Sequence, residues 1–521
     1  MTEIASLADI VRTHGRERPE AAALILGDYR QSWAELYSRA TQAAQALREA
    51  GVGPQDRIAF LDKNSIEHFE VFFGAALLNA VCVDVNWRLA APEVEYVVND
   101  AEAKVLIVGP DFVPLLDAIA GNLRTVTKIV VIGDHALHEN YEAWIGRQAA
   151  DDPHTPSAPG DVAFQLYSSG TTGRPKGVML SNTNFFGLLP AARGMWEMDE
   201  NGVNLGAMPL FHIGGGGWVT AGMYVGCTTV LVRDIDPAAI IGLIATHRVT
   251  HAFVVPALLQ FMLMVPGAAD ADFSSMKILA YGASPISDEV LARSVEMFGC
   301  KFWQVYGLTE TTGAVVNLPP EDHDLSGPNR HRLRSCGVAG PGVELRIVDP
   351  ATEEEQPVGE VGEIWIRSPQ VMIGYWNMPE ETTKAVDAEG WFRSGDAGYL
   401  DADGYLFIHD RVKDMIVSGG ENVYPAEVEN ALFSHPSVAD AAVIGVPDER
   451  WGEAVKAIVV LAPGAQADPA SIIAHCRTQI AGYKTPKSVD FVTVLPRNPS
   501  GKVLRRELRK PYWEGHGRLV G

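Results

Sequence analysis

Short β-branched runs alternate with stretches of helical apolar spacing through most of this chain; residues 57–61, 105–108, 128–132 and 228–232 are examples of such runs. Strands and amphipathic helices that alternate in this way bury their apolar faces when helices cover a largely parallel sheet, so the pattern predicts an α/β fold. With 521 residues, 47% of them apolar, the chain exceeds what one core holds. The texture changes after residue 320, where Gly-Pro-rich turns separate strand-like residues 344–348 and 363–366 and predict a β-rich subdomain. A third texture begins near Asp410: a strand at 415–417, a helix at 426–433, strands at 441–446 and 455–461 and a helix at 472–480. The expected organisation is a large N-terminal domain, residues 1–410, of layered α/β subdomains plus the β-rich one, then a small α+β C-terminal domain, residues 411–521. No internal repeat or low-complexity tract interrupts it.

A net charge of -23 repels nucleic acid and anionic membrane over most of the surface, so no nucleic-acid partner is expected and a polyanionic substrate needs a local basic patch. The five cysteines are scattered with no C-x-x-C pair, which argues against a disulfide framework or a thiolate zinc site and for a reducing cytoplasm. Residues 6–12 read as a capped helix rather than a signal core. The longest apolar stretch, residues 71–83, is broken by Gly74 and Asn79 and falls short of the roughly 18 residues of a spanning helix; it reads as a buried helix running into a strand. Peripheral membrane contact and a homodimer stay open.

The densest chemical signal follows the strand-like residues 161–167: Ser168, Ser169, Gly170, Thr171, Thr172, Gly173, Arg174, Pro175, Lys176 and Gly177. Glycines let backbone N–H groups approach an anion, hydroxyls add donors, and Lys176 supplies a mobile positive charge for terminal phosphates. The G-x-x-x-x-G-K-[ST] spacing is missing and a strand follows, so this is not a Walker loop. Composition alone would also suit a surface hairpin, but a hairpin needs no lysine after proline and no ladder of hydroxyls.

Residues 167–177 resemble the signature of the acyl-adenylate-forming superfamily, which includes acyl- and aryl-CoA synthetases, peptide-synthetase adenylation domains and beetle luciferases. Further segments resemble its other motifs, in the family's order: Tyr281, Gly282 and Ala283; Tyr306, Gly307, Thr309 and Glu310; Trp391 to Asp396; Asp410 to Asp414; and Pro499 to Lys502. The resemblance implies an AMP-forming acid–thiol ligase using ATP, Mg²⁺ and coenzyme A. It gives Glu310 to the metal and Thr309 to the α-phosphate, Gly282, Ala283 and Tyr306 to adenine, Asp396 and Arg411 to the ribose, and Lys502 to the reacting carboxylate and α-phosphate. Lys413 matches the hinge about which a mobile small domain turns, so that Lys502 leaves and Gly419 and Gly420 approach the pantetheine path. Each motif alone has a plainer reading: a helix cap for Thr309-Glu310, a turn for Asp396, a solvated lysine at 502.

The segment 209–214 resembles the border of the acyl pocket in fatty-acid and aryl-acid CoA ligases, where His212 would orient the carboxylate. The glycines at 214–217, 222 and 226 leave room for an acyl tunnel, and close helix packing would select them equally. No charged residue stands out there, which points to an apolar acid: a medium- or long-chain fatty acid, or an aryl acid as the alternative. Arg505, Arg506, Arg509 and Lys510 form a basic cluster that suits either the phosphates of CoA or a helix C-terminus, where it would offset the dipole. A stand-alone enzyme that loads a carrier protein is the other reading of the acceptor. G-x-S-x-G and H-E-x-x-H are both missing, which removes the common hydrolases.

Overall fold

The computed structural model describes residues 4–168, 175–284, 286–411, 414, 416–418, 421–423, 425–448, 451–480, 482, 484–497 and 503–514. For residues 409–411, 417, 421, 422 and 452 it describes the backbone. The chain forms two compact units, Met1–Glu344 with Ile366–Phe392, and Leu345–Trp365 with Arg393–Gly521.

Two sheets build the first unit. In one, the strands Lys301–Leu308, Ile278–Gly282, His251–Val254, Val203–Gly206, Thr228–Leu231 and Ala22–Leu26 lie parallel in that order. Gly313–Leu318 and Tyr29–Ser32 flank them antiparallel. In the other, Val162–Ser168, Val81–Asp84, Arg57–Leu61, Val105–Val108 and Lys128–Val131 are parallel neighbours. Lys176–Ser181 folds back antiparallel on Val162–Ser168, and Gly374–Tyr375 pairs antiparallel with it. Every residue of Arg57–Leu61, Val81–Asp84 and Val105–Val108 is buried, as strands covered on both faces require.

Local sequence accounts for these elements. Ser6 caps the helix Leu7–Glu17, with Asp9 accepting from its backbone N–H at 3.0 Å. Ser65 caps Ile66–Leu77, which ends before the strand Val81–Asp84, the helix-into-strand expected of residues 71–83. Gly226, at φ +88°, closes the helix Ile213–Val225 in the left-handed conformation that favours glycine.

Most of the β-rich region falls in the second unit: Glu344–Val348, Gly362–Arg367, Phe392–Leu400 and Leu406–Arg411 follow one another in a sheet. A second sheet orders Glu421–Val423, Ile416–Ser418, Gly452–Leu461 and Val438–Asp448, with Ser488–Phe491 parallel to Gly452–Leu461. Val428, Leu432, Ile472 and Cys476 of the helices Pro425–Phe433 and Pro469–Gln479 share a core with Val443, Val455 and Val459. Residues 411–414, the expected domain boundary, fall inside this unit.

Candidate active site

The antiparallel strands Val162–Ser168 and Lys176–Ser181 bring Ser168 opposite Lys176, at the two roots of the loop expected to hold phosphates. Ser169, Gly170, Thr171, Thr172 and Gly173 lie outside the described residues; the two roots of their loop are in place. Gly177 serves packing: a Cβ there would stand 2.7 Å from Gln165 Nε2 and 3.1 Å from Tyr167 Cζ. Tyr167 in turn donates to Asp100 Oδ2 at 2.7 Å, which anchors the strand pair to the helix Ala91–Asp100.

Glu310 sits in a 3₁₀ turn, Thr309–Thr311, between the antiparallel strands Lys301–Leu308 and Gly313–Leu318. Thr311 and Gln370 hold that turn. The Leu308 N–H donates to Thr311 Oγ1 at 2.9 Å, and Gln370 Nε2 donates to the Ala314 carbonyl at 2.9 Å. Thr312 follows at φ +53° and donates its hydroxyl to the Gln370 carbonyl at 2.6 Å. A β-branched residue in the left-handed region costs on the order of 1–3 kcal/mol, and its hydroxyl bond helps hold it there. The carboxylate so placed is buried, and its Oε1 accepts from Ser168 Oγ at 2.9 Å and from the Tyr375 hydroxyl at 3.1 Å. Burial and the neighbouring Glu310 push the Tyr375 phenol well above its usual range, so it stays a donor at neutral pH.

Lys176 is buried too, with Nζ 2.5 Å from Glu381 Oε2 and 4.9 Å from the centre of the Tyr375 ring. The mobile charge read from the sequence is thus tethered. Hydroxyls and one hard carboxylate beside this lysine suit a Mg²⁺ bound mostly through phosphates and water.

The residues that the resemblance gives to adenine lie toward the ends of neighbouring strands. Gly282 ends Ile278–Gly282 where a Cβ would stand 2.2 Å from the Val305 carbonyl oxygen, and the exposed Ala283 follows at φ +66°. Tyr306 pairs in register with Val316 and is half-buried; Gly307 next to it has no room for a Cβ, which would fall 1.7 Å from the Gly313 oxygen.

His212 precedes the helix Ile213–Val225, its ring 4.4 Å from that of Phe211. Burial, with Arg88 nearby, pulls its pKa down to about 4, so the imidazole is neutral at physiological pH. The glycines after it divide by role. A Cβ on Gly215 would stand 2.2 Å from the Pro209 oxygen, on Gly216 2.8 Å from the Leu210 oxygen and on Gly222 2.6 Å from Asn204 Nδ2, so these three serve close packing. Gly217 meets Ile213 and Leu188 at ordinary contact distances of 3.4 and 3.5 Å.

In the second unit, Asp396 is buried and its N–H donates to Ser394 Oγ at 3.1 Å; it pairs in register with Arg411. Gly395 reaches φ +69° and donates to Glu363 Oε1 at 3.0 Å. Lys413, Gly419, Gly420 and Lys502 lie outside the described residues. Two of the four basic residues near the C-terminus are already engaged: Arg505 with Glu429 at 2.8 Å and Arg509 with Asp414 at 3.5 Å.

Sequence reasoning missed Tyr375, Glu381 and Gln370. Each acts across more than 50 residues on its partner: Gln370 on Thr312 and Ala314, Tyr375 on Glu310, Glu381 on Lys176.

Known proteins share this sequence pattern and fold. The AMP-binding enzyme family matches residues 11–376, and its C-terminal domain matches residues 427–502. The chain belongs to that family and is an AMP-forming acid–thiol ligase. It is 39% identical to the fatty acid–[acyl-carrier-protein] ligase ScoC of Streptomyces coeruleorubidus, over 99% of this chain and 98% of that one. It is 38% identical to a feruloyl-CoA synthase of Amycolatopsis sp, over 95% and 97% of the two chains. Among solved structures, the anthranilate CoA ligase AuaEII in complex with anthranoyl-AMP superposes with a TM-score of 0.87 at 29% identity, covering 97% of each chain.

Proposed function

We propose that the chain activates an apolar carboxylic acid with ATP and transfers the acyl group to the thiol of coenzyme A. The observation that carries this reading is the buried Glu310 carboxylate, joined to Ser168 and Tyr375 at the root of the phosphate loop. In the first half-reaction a carboxylate oxygen bonds to the α-phosphorus and pyrophosphate departs. In the second the thiol sulfur bonds to the acyl carbon, AMP departs with the electrons of the acyl–oxygen bond, and the thiol proton goes to solvent.

Glu310 would hold Mg²⁺, which when bound screens the phosphate charges against the incoming carboxylate. Thr309 would donate to the α-phosphate, Tyr306 would stack on adenine beside Gly282 and Ala283, and Asp396 with Arg411 would take the ribose. Neutral His212 would donate to the acid's carboxylate, and Lys502 would bridge that carboxylate and the α-phosphate. Residues 411–521 would then turn about Lys413, exchanging Lys502 for Gly419 and Gly420. Five free cysteines suit a reducing, cytoplasmic setting.

A medium- or long-chain fatty acid is the leading substrate class, with aryl acids second. Carrier loading is the alternative for the acceptor, favoured by the 39% identity to a carrier-protein ligase over nearly the whole chain. Incubation with ATP, Mg²⁺, CoA and a panel of fatty and aryl acids is expected to give AMP, pyrophosphate and acyl-CoA. ADP as the nucleotide product would contradict the reading, and thioester formed on a phosphopantetheinyl carrier but not on CoA would select the alternative.

A further inference from the structure

The lysine at the root of the phosphate loop already has an anionic partner. Glu381 stands in the first turn of the helix Pro379–Ala385, with Lys176 Nζ 2.5 Å from its Oε2 and Lys384 Nζ 2.8 Å from its Oε1. The two lysines differ in setting: the Lys176 side chain is 10% exposed, whereas that of Lys384 is 70% exposed. Glu381 therefore has other support if Lys176 leaves, both from Lys384 and from its position near a helix N-terminus. Lys176 rests over the face of the Tyr375 ring, which stabilises a cation whichever anion it meets. A triphosphate outbids a single carboxylate for such a cation because it offers more charge and more acceptor oxygens.

We propose that Glu381 is an exchangeable counter-ion for Lys176: the nucleotide's β- and γ-phosphates displace it, and its recapture of Lys176 helps pyrophosphate leave. The proposal rests on the nucleotide-activating role given above to the loop at 168–176. Glu381 and the phosphates would compete for the same lysine, which makes Glu381 a positioning residue acting through Lys176. Nothing covalent changes in the exchange; one ion pair is traded for another.

Calorimetric titration of the full chain with ATP, pyrophosphate and AMP, without acid, tests this. Glu381→Gln should bind ATP and pyrophosphate about two- to fivefold tighter, the worth of a partly exposed ion pair, and AMP as the unchanged protein does. In a Lys176→Met background the same substitution should change none of the three. Glu381→Asp, which keeps the charge but shortens its reach, should fall between the two and covers the case in which the Gln variant folds poorly. Folded Glu381→Gln that binds ATP equally or more weakly, or that shifts AMP as much as ATP, would overturn the proposal. Wild-type protein that forms no adenylate with any acid would instead overturn the function on which it rests.

Discussion

Glu310 and His212 carry the sharpest expectations at the residue scale. Glu310→Gln keeps the shape and the two hydrogen bonds at Oε1 but removes the charge, so adenylate formation should fall about 100-fold or more with little change in melting temperature. A fall under threefold in single-turnover adenylation would remove Glu310 from the metal role. His212 makes an opposite claim about pH. Buried to a pKa of about 4, it is neutral from pH 5 upward, so an acid limb near pH 6.5 in the adenylation rate should not arise from it. If such a limb appears and vanishes in His212→Asn, the imidazole titrates at its ordinary value and the packing around Phe211 and Arg88 does not control it.

Among elements, the helix Ile213–Val225 shows how far the sequence could be read. Glycines at 215, 216 and 217 look alike in a row, yet the first two lie against backbone oxygens and the third against flexible side chains. Gly215→Ala should therefore destabilise by about 1–3 kcal/mol, against the helix propensity of alanine, while Gly217→Ala should be near neutral; urea unfolding of both variants checks the contrast. Alternation of strands and helices was legible because parallel sheets leave long apolar runs, as in Arg57–Leu61. The paired strands on either side of residues 168–176 were legible because they are contiguous with the loop's distinctive sequence. Tyr375 and Glu381 were not, because nothing local in a Gly-Tyr pair or in a helix-starting Glu-Glu announces a partner 65 or 205 residues away. The basic cluster at 505–510 does not end a helix as one reading of it expected: Arg505 and Arg506 open the helix Arg505–Trp513, and the partners of Arg505 and Arg509, Asp414 and Glu429, come from elsewhere in the chain.

For the whole molecule, acid should act in two windows. Burial holds His212, His251 and His323 at about 4. Between pH 6.5 and 4 the unfolded chain takes up protons that the folded one refuses, so stability present above pH 6.5 is lost progressively on acidification. From about pH 4.5 downward a second loss begins. Asp152 is held at about 2 by Arg12, Tyr37 and the His154 N–H against the opposing effect of burial, and Glu381 by Lys176 and Lys384. The melting temperature should accordingly fall from pH 7.5 to pH 5, and a flat profile over that range would contradict the histidine assignment. The two-step account also separates the half-reactions. Lys502→Ala should nearly abolish adenylate formation yet spare thioester formation from supplied acyl-adenylate, and equal loss of both would contradict a turning small domain.

The central claim is that the Glu310–Ser168–Lys176 site joins a carboxylate to AMP. Acid-dependent ATP–pyrophosphate exchange, measured without CoA across fatty and aryl acids, tests it most directly. The account expects exchange above background with at least one apolar acid, lost in Glu310→Gln; no exchange with any acid, or exchange undiminished in that variant, would contradict it.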